Sequence, residues 1–310
     1  MAYSIYSNTL VDIAVAKAQK QGGIVDKVTE TSPIIQSAPF FESTHGISHT
    51  YEDVKSINGG SFVDIDGELV STDMISDLEK QDLSVLGGKV IVGEDRARQM
   101  GGRDVYFAKK SPYIMKETTS GAEEDLIYNV LEAYAIRNGN VVDIGGSAGT
   151  NYSILCVRWE EDNCSGLYDP QMFNPNTLYD MEMLYDGSLA DYTVGTKTVT
   201  GYGMRFKAYM SFLLANPRNV SVMVNIDPAN SKLPTGVQMD ELLVKARVGS
   251  GGNSFLYMHP LCKAKAINQF KGDALQTFNT DSDFNRFVEA YGRVPIVESY
   301  NFKDATEANV

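Results

Sequence analysis

Apolar positions change their period several times along this chain, and each change predicts an element. In "GAEEDLIYNVLEAYAIRNG", Leu126, Ile127, Val130, Leu131 and Tyr134 recur at i, i+3, i+4 spacing, the stripe of a helix. Ser111 and Pro112 fit its N-cap and first helical position, which predicts a helix from Pro112 to Arg137, about 40 Å long at ~1.5 Å per residue. Gly121 is its weak point, since glycine costs about 1 kcal/mol relative to alanine. A shorter stripe, Leu10, Ile13, Ala14 and Ala18, comes after Asn8 and Thr9 as possible caps and stops at Gly22-Gly23. "TSPIIQSAPFFEST" then reads as extended chain, because each proline turns its predecessor away from helix.

Between Ile47 and Val92 the pattern predicts a long two-stranded excursion. "ISHTYEDVKSI" and "LSVLGGKVIVG" are its strands, joined by the acidic, turn-rich "NGGSFVDIDGELVSTDMISDLEKQD". The acids Asp64, Asp66, Glu68, Asp73 and Asp77 crowd its expected tip. They lack the DxDxDG frame and closing glutamate of a calcium loop, so they read as a solvated face.

The C-terminal half alternates. "TVTGYGMRFKAYM", "NVSVMVNI" and "FLYMH" are expected strands, with "NPRN" as a turn. "TGVQMDELLVKAR" is an expected helix capped by Thr235, "PLCKAKAINQF" another closed by Gly272, and "FNRFVEAY" a third ending at Gly292. "VPIVESYNF" is a closing β-run. The whole is a mixed α+β chain.

One stretch suggests a cofactor. "VVDIGGSAGT", Val141–Thr150, runs from apolar residues through Asp143 into Gly145, Gly146 and Gly149. It resembles the S-adenosylmethionine loop of methyltransferases, in which Asp143 and Gly145 to Gly149 would hold the cofactor. Such a loop needs a helix directly behind it, whose N-terminal amides hold the ligand. Behind Thr150 stands "NYSILCVRW", short and rich in β-branched and aromatic residues, which reads as a strand. The glycines are therefore expected to form a connection, and the cofactor-binding set is expected to be empty.

Other chemistry is sparse. His45 and His49 are four apart, but Gly46 and the extended context oppose a helical metal pair. His259 before Pro260 marks a strand-to-helix junction, and "VGSGGNS" lacks the GK[ST] ending of a phosphate loop. Cys156, Cys164 and Cys262 form no CxxC pair, which predicts a reducing compartment without disulfides or zinc. No nucleophile–base pair suggests itself, so no catalytic, metal or cofactor residue is expected, and no cofactor.

Composition narrows the class. The chain has 310 residues, 43% hydrophobic and 22% charged, and a formal net charge of -13. These are the values of a folded, soluble protein whose surface repels nucleic acid, which argues against sequence-specific DNA binding. The N-terminus lacks the basic start and apolar block of a secretory signal, and no apolar run reaches the ~18 residues of a membrane span. A soluble intracellular product is the expectation.

Several phrases together resemble the major capsid proteins of tailed, especially short-tailed, bacteriophages with the Hong Kong 97-type fold. They are "SPIIQSAPFF" (Ser32–Phe41), "NYSILCVRWEEDNCSGLYDP" (Asn151–Pro170), "MRFKAYMSFLLANPRNVSVMVNID" (Met204–Asp227) and "GRVPIVESY" (Gly292–Tyr300). The resemblance implies an N-terminal arm over residues 1–45 and an extended β-hairpin loop over 46–93. It further implies a peripheral domain with a spine helix over 94–140, an axial domain over 141–272, and a return to the peripheral domain over 273–310. It implies pentameric and hexameric capsomers of this chain, an icosahedral shell around double-stranded DNA, and scaffolding, portal and decoration proteins as partners. The virion would be its final location and the host cytoplasm its site of assembly. Encapsulin-type compartment shells share this fold and are the alternative within it; the methyltransferase is the alternative outside it.

Overall fold

The structure is a computed structural model and describes residues 32–99, 101–146, 151–171, 179–194, 196–249, 253–270, 275–279, 287–304 and 307. The expected helix carrying Leu10 to Ala18 lies outside the described residues.

A seven-stranded sheet forms one layer. Its strands are β5 (Val141–Asp143), β6 (Tyr152–Trp159), β11 (Val220–Ile226), β12 (Asn253–Met258), β13 (Leu275–Asn279), β14 (Phe287–Tyr291) and β15 (Val294–Glu298), in the order β13-β14-β15-β12-β6-β11-β5. β6 and β11 are buried along their whole length, so they read as continuous apolar runs and not as alternating ones. Their two faces nevertheless serve different cores. Leu155, Val157 and Trp159 point to one, and Tyr152, Ile154 and Cys156 to the other, as a period of two requires. On the second face lie helix Gly236–Lys245, through Met239 and Leu242, and the helical stretch from Pro260, through Cys262, Ala266 and Ile267. Thr235 starts the former with a capping box, its side chain accepting from Gln238 N–H while Gln238 reaches back.

The first face packs on a long helix and a second sheet. The helix runs Arg103–Asp125, continues as a π-helical turn over Leu126–Glu132 and ends as α-helix over Ala133–Arg137. Of the predicted stripe, Leu126, Ile127 and Leu131 are buried and Val130 and Tyr134 partly buried, and Ala135 joins them in the core. Its start differs from the expectation at Pro112. The helix begins nine residues earlier, at Arg103, and Pro112 lies inside it. Proline removes the bond to the carbonyl four residues back, and that residue, Ala108, is exposed. Ser111 is no cap; it is buried against Met204. The helix is also continuous through Gly121.

The second sheet has six strands. β1 (Phe40–Glu42), β7 (Cys164–Tyr168), β10 (Lys197–Leu214) and β4 (Ser84–Gly93) run in the order β1-β7-β10-β4, and β8 (Asp180–Met183) and β9 (Ala190–Val194) also pair with β10. Close approach is built in with glycine. In register with Phe40, Gly166 leaves room for that ring, and a Cβ there would lie 2.4 Å from it.

Three further expectations change. "LSVLGGKVIVG" is a strand, but it joins β10 in the second sheet and is not the return strand of the excursion. That role belongs to β3 (Asp73–Asp82), within the stretch expected to be a turn-rich connection. "SPIIQ" is not extended. Pro33–Ser37 is a helix with Pro33 in its first turn, and Ile34, Ile35 and Phe40 are core residues. Finally, the described part of "FNRFVEAY" is strand β14, held between β13 and β15.

Candidate interaction surface

The feature that stands out from the body is the ribbon of β2 (Ser48–Asn58) and β3. The two pair antiparallel from Ser48 opposite Asp82 to Asn58 opposite Asp73, with a bulge between Val54 and Ser56. At its base the ribbon is anchored: His49 is buried, Gln81 donates to Ser211 Oγ at 3.3 Å, and Leu83 N–H donates to Ile47 O at 2.9 Å. Beyond the base no residue from Thr50 to Lys89 is buried. Lys55 pairs with Asp53 on its own strand and with Glu79 across the ribbon, and Gly67 N–H closes a tip turn onto Asp64 O at 2.8 Å.

This ribbon carries an unusual load of exposed apolar side chains. Phe62 and Ile65 at the tip are fully exposed, Leu69 is 80% exposed, Leu78 77% and Ile57 70%. An isolated two-stranded ribbon is marginal in water, and contiguous exposed apolar surface marks a contact site. The acids named from sequence lie on the same ribbon. Asp64, Asp66 and Glu68 are at the tip, while Asp73 and Asp77 are in β3. No three His, Cys, Asp or Glu side chains among the described residues form a group able to hold a metal ion.

The glycine stretch is built for a different purpose. β5 pairs parallel with β11, and the chain continues along it: Ile144 N–H donates to Val224 O at 3.2 Å and Gly146 N–H to Asn225 O at 2.9 Å. A Cβ on Gly146 would sit 2.4 Å from that Asn225 carbonyl, so the close approach requires glycine there. Asp143 Oδ1 accepts from Gly145 N–H and from Asn225 Nδ2, both at 2.8 Å. The carboxylate that a ribose would need is thus engaged by its own turn. Residues 147–150 lie outside the described ones, and β6, a strand, comes directly after them. Without a helix behind the loop there is no set of N-terminal amides to hold a cofactor.

His259 sits where expected, between β12 and the helix at Pro260. Its Nδ1 accepts from Leu261 N–H at 3.1 Å, and burial lowers its pKa, favouring the neutral ring that can accept. His45 lies in the turn before β2, and His49 stacks on Tyr51. Cys156, Cys164 and Cys262 are unpaired and buried, and burial pushes the Cys156 thiol up to about 12.

One important residue was missed from sequence. Glu123, read as part of the polar start of the long helix, has 0% exposure and gathers four donors. Its Oε2 accepts from Ile34 N–H at 3.0 Å and Ile35 N–H at 3.2 Å; its Oε1 accepts from Ser299 Oγ at 2.6 Å and Asn301 Nδ2 at 2.9 Å. Ser32, the local N-cap, makes no capping bond. Glu123 therefore caps the helix at Pro33 from the long helix and ties the segments at Ile34–Ile35 and Ser299–Asn301 to it. Burial pushes its carboxyl up, against the four hydrogen bonds.

No protein-family model matches the chain, and no curated protein matches it. Solved structures do. A chain in a structure of bacteriophage Epsilon15 is 15% identical with a TM-score of 0.56, covering 100% of this chain and 99% of that one. The capsid of bacteriophage JBD30 matches at 12% identity and a TM-score of 0.52, over 85% of this chain and 88% of that one. The JBD30 capsid decorated with minor capsid protein trimers matches at 11% and 0.54, over 93% and 98%. The chain has the Hong Kong 97-type capsid fold. The likeness extends over the whole length of this chain in the Epsilon15 match.

Proposed function

We propose that this chain is the major capsid protein of a tailed bacteriophage, a structural and non-enzymatic subunit that assembles into the icosahedral shell around double-stranded DNA. The observation that carries this reading is the projecting ribbon: apolar side chains at its tip, Phe62 and Ile65 among them, are fully exposed and have no apolar partner among the described residues. In a closed array of copies joined head to tail, each ribbon finds a neighbour's surface. The domain division suits it, with residues 1–45 as an arm, 46–93 as the extended loop, 94–140 and 273–310 as the peripheral domain and 141–272 as the axial domain. The described part of the arm, from Ser32, packs in its own core. Lys and Arg side chains of a neighbour would meet the ribbon's carboxylates. Pentameric and hexameric capsomers are the assemblies this implies, with scaffolding and portal proteins as partners. A decoration protein is a further one, on the precedent of the JBD30 capsid with its minor capsid protein trimers.

The test is assembly. The purified chain, alone and with the scaffold and portal products of its gene neighbourhood, is run on size-exclusion chromatography and imaged. Capsomers or megadalton shells are expected. A stable monomer that binds S-adenosylmethionine would overturn the reading, and shells loaded with a protein cargo in place of DNA would assign it to encapsulins.

A further inference from the structure

Asparagine followed by glycine occurs twice in the chain, at Asn58–Gly59 and at Asn138–Gly139, and the fold treats the two pairs differently. Both asparagines are exposed. Asn138 caps the C-terminal end of the long helix with its amide engaged. Its Nδ2 donates to Tyr134 O at 2.8 Å, and Gly139 N–H donates to Ile136 O at 3.1 Å. Gly139 takes the left-handed conformation of a helix stop, at φ 72°. Asn58 is the last residue of β2, opposite Asp73, the first of β3. Among the described residues its side chain makes no hydrogen bond and Gly59 N–H finds no acceptor, and a Cβ on Gly59 would meet nothing within 4 Å.

That arrangement permits a reaction that needs no enzyme. The nitrogen of Gly59 attacks the side-chain carbonyl carbon of Asn58, closing a five-membered succinimide. The bond formed is Gly59 N to Asn58 Cγ, and the bond broken is Cγ–Nδ2. Nδ2 leaves as ammonia, with the proton given up by the Gly59 amide. Water then opens the ring. Opening at Cγ gives aspartate; opening at the backbone carbonyl gives isoaspartate, whose main chain runs through the side chain and is one methylene longer. Nothing is oxidised or reduced, and water is the sole co-reactant. Glycine favours the attack because it brings no Cβ to crowd the nitrogen and its backbone turns freely. At Asn138 the same attack must first break the hydrogen bonds of both leaving group and nucleophile, which slows it by about thirtyfold.

We propose that Asn58 is a site of spontaneous deamidation, and that its conversion opens the outer end of the ribbon. The new carboxylate faces Asp73, directly opposite in register, whose Oδ1 is held by Met74 N–H at 2.8 Å. Like charges directly across an antiparallel pair destabilise it. Isoaspartate goes further, since one added methylene breaks the period of two at the point where the ladder ends. Little opposes the opening, because no residue from Thr50 to Lys89 is buried. Residues 46–83 gain a tenth acid beside their nine. The chemistry belongs to the free subunit. Its bearing on assembly rests on the capsid reading, which sends this ribbon to a neighbour.

The test is peptide mass spectrometry of the full-length subunit, aged in heavy-oxygen water so that oxygen entering from solvent is counted. Asn58 should convert at least about thirtyfold faster than Asn138. Gly59→Val places a branched side chain in open space and should slow conversion of Asn58 by at least about tenfold, with melting unchanged. Hydrogen exchange reads the consequence. In Asn58→Asp, which carries the product's charge, protection around Asn58 and Asp73 should fall about threefold and hold at Ser48 and Gln81. Adding Asp73→Asn should restore it. Equal rates at Asn58 and Asn138, or a Gly59→Val variant that ages like the parent, overturns the site. Unchanged exchange in Asn58→Asp overturns the opening. Either result leaves the capsid reading standing, whereas a subunit that never assembles removes that reading and leaves the site.

Discussion

Replacing Glu123 with alanine tests whether the segments at Ile34–Ile35 and Ser299–Asn301 are held by one carboxylate. The side chain has 0% exposure and four donors converge on it. Ser299 can rotate its hydroxyl to another acceptor, but the backbone N–H groups of Ile34 and Ile35 and the Nδ2 of Asn301 are donors left facing no acceptor. A buried donor left without a partner costs about 1–3 kcal/mol, so three cost about 3–9, and water entering the vacated space offsets part of this. We expect a loss of about 4 kcal/mol. At about 2 °C per kcal/mol for a chain of this size, the melting temperature of the purified subunit drops by about 8 °C. Glu123→Gln keeps an acceptor for the two backbone amides, and its own NH₂ can face Asn301 after an amide flip, so it should lose about 1–2 kcal/mol. Thermal unfolding followed by circular dichroism gives the order. Limited proteolysis should show new cleavage between Ser32 and His45 in the alanine variant first. An alanine variant melting within about 1 °C of the parent, with those residues still protected, refutes the reasoning.

Replacing Phe62, Ile65 and Leu69 together with serine should leave subunit melting unchanged, because all three are exposed, yet prevent shell formation; a variant that both melts and assembles like the parent removes the ribbon from the interface. Gly166→Ala puts a Cβ 2.4 Å from the Phe40 ring, and overpacking of this kind should cost about 2 kcal/mol, read as a melting temperature lower by about 4 °C. Asp143→Ala removes two hydrogen bonds from a turn and should cost about 1 kcal/mol while assembly survives; calorimetry showing saturable S-adenosylmethionine binding, lost in this variant, would contradict the connector role.

Much of the body was legible because burial writes itself into period. Leu126, Ile127, Val130, Leu131 and Tyr134 announced the long helix, and the β-branched run of "NYSILCVRW" announced a strand behind the glycines, which was enough to set the methyltransferase motif aside. The misses have a common cause: each element was fixed by something distant in sequence. Pro112 reads as a helix start, but packing on the second sheet carries the helix past it. Pro33 reads as a breaker, but Glu123, 89 residues away from Ile34, supplies the cap that makes a helix there. "FNRFVEAY" has a helical spacing of apolar residues, and in its described part, Phe287–Tyr291, pairing with β13 and β15 overrides it. Glu123 itself could not be picked out, since it stands beside Glu124 and Asp125, both exposed, in a run that looks uniformly solvated.

The ribbon's return strand was missed for a reason that bears on function. In "DMISDLEKQD" Met74 and Leu78 lie on one face and Ile75 on the other, while Asp77 and Glu79 share the face of Ile75. A strand that buries one face in its own subunit separates apolar from charged residues by period two; this one mixes them on at least one face and buries neither. That is the pattern of a segment whose apolar residues meet a partner only after the subunit has folded, and whose charges must keep it soluble until then. Nine acids and two lysines give residues 46–83 a net charge of -7, against -13 for the whole chain. Like-charged ribbons of neighbouring copies repel one another, so each is driven away from its equivalents and toward less acidic surface. Aggregation through an exposed apolar ribbon and assembly through the same ribbon differ in this respect. Charge removes the first route, and the geometry of the folded body selects the second.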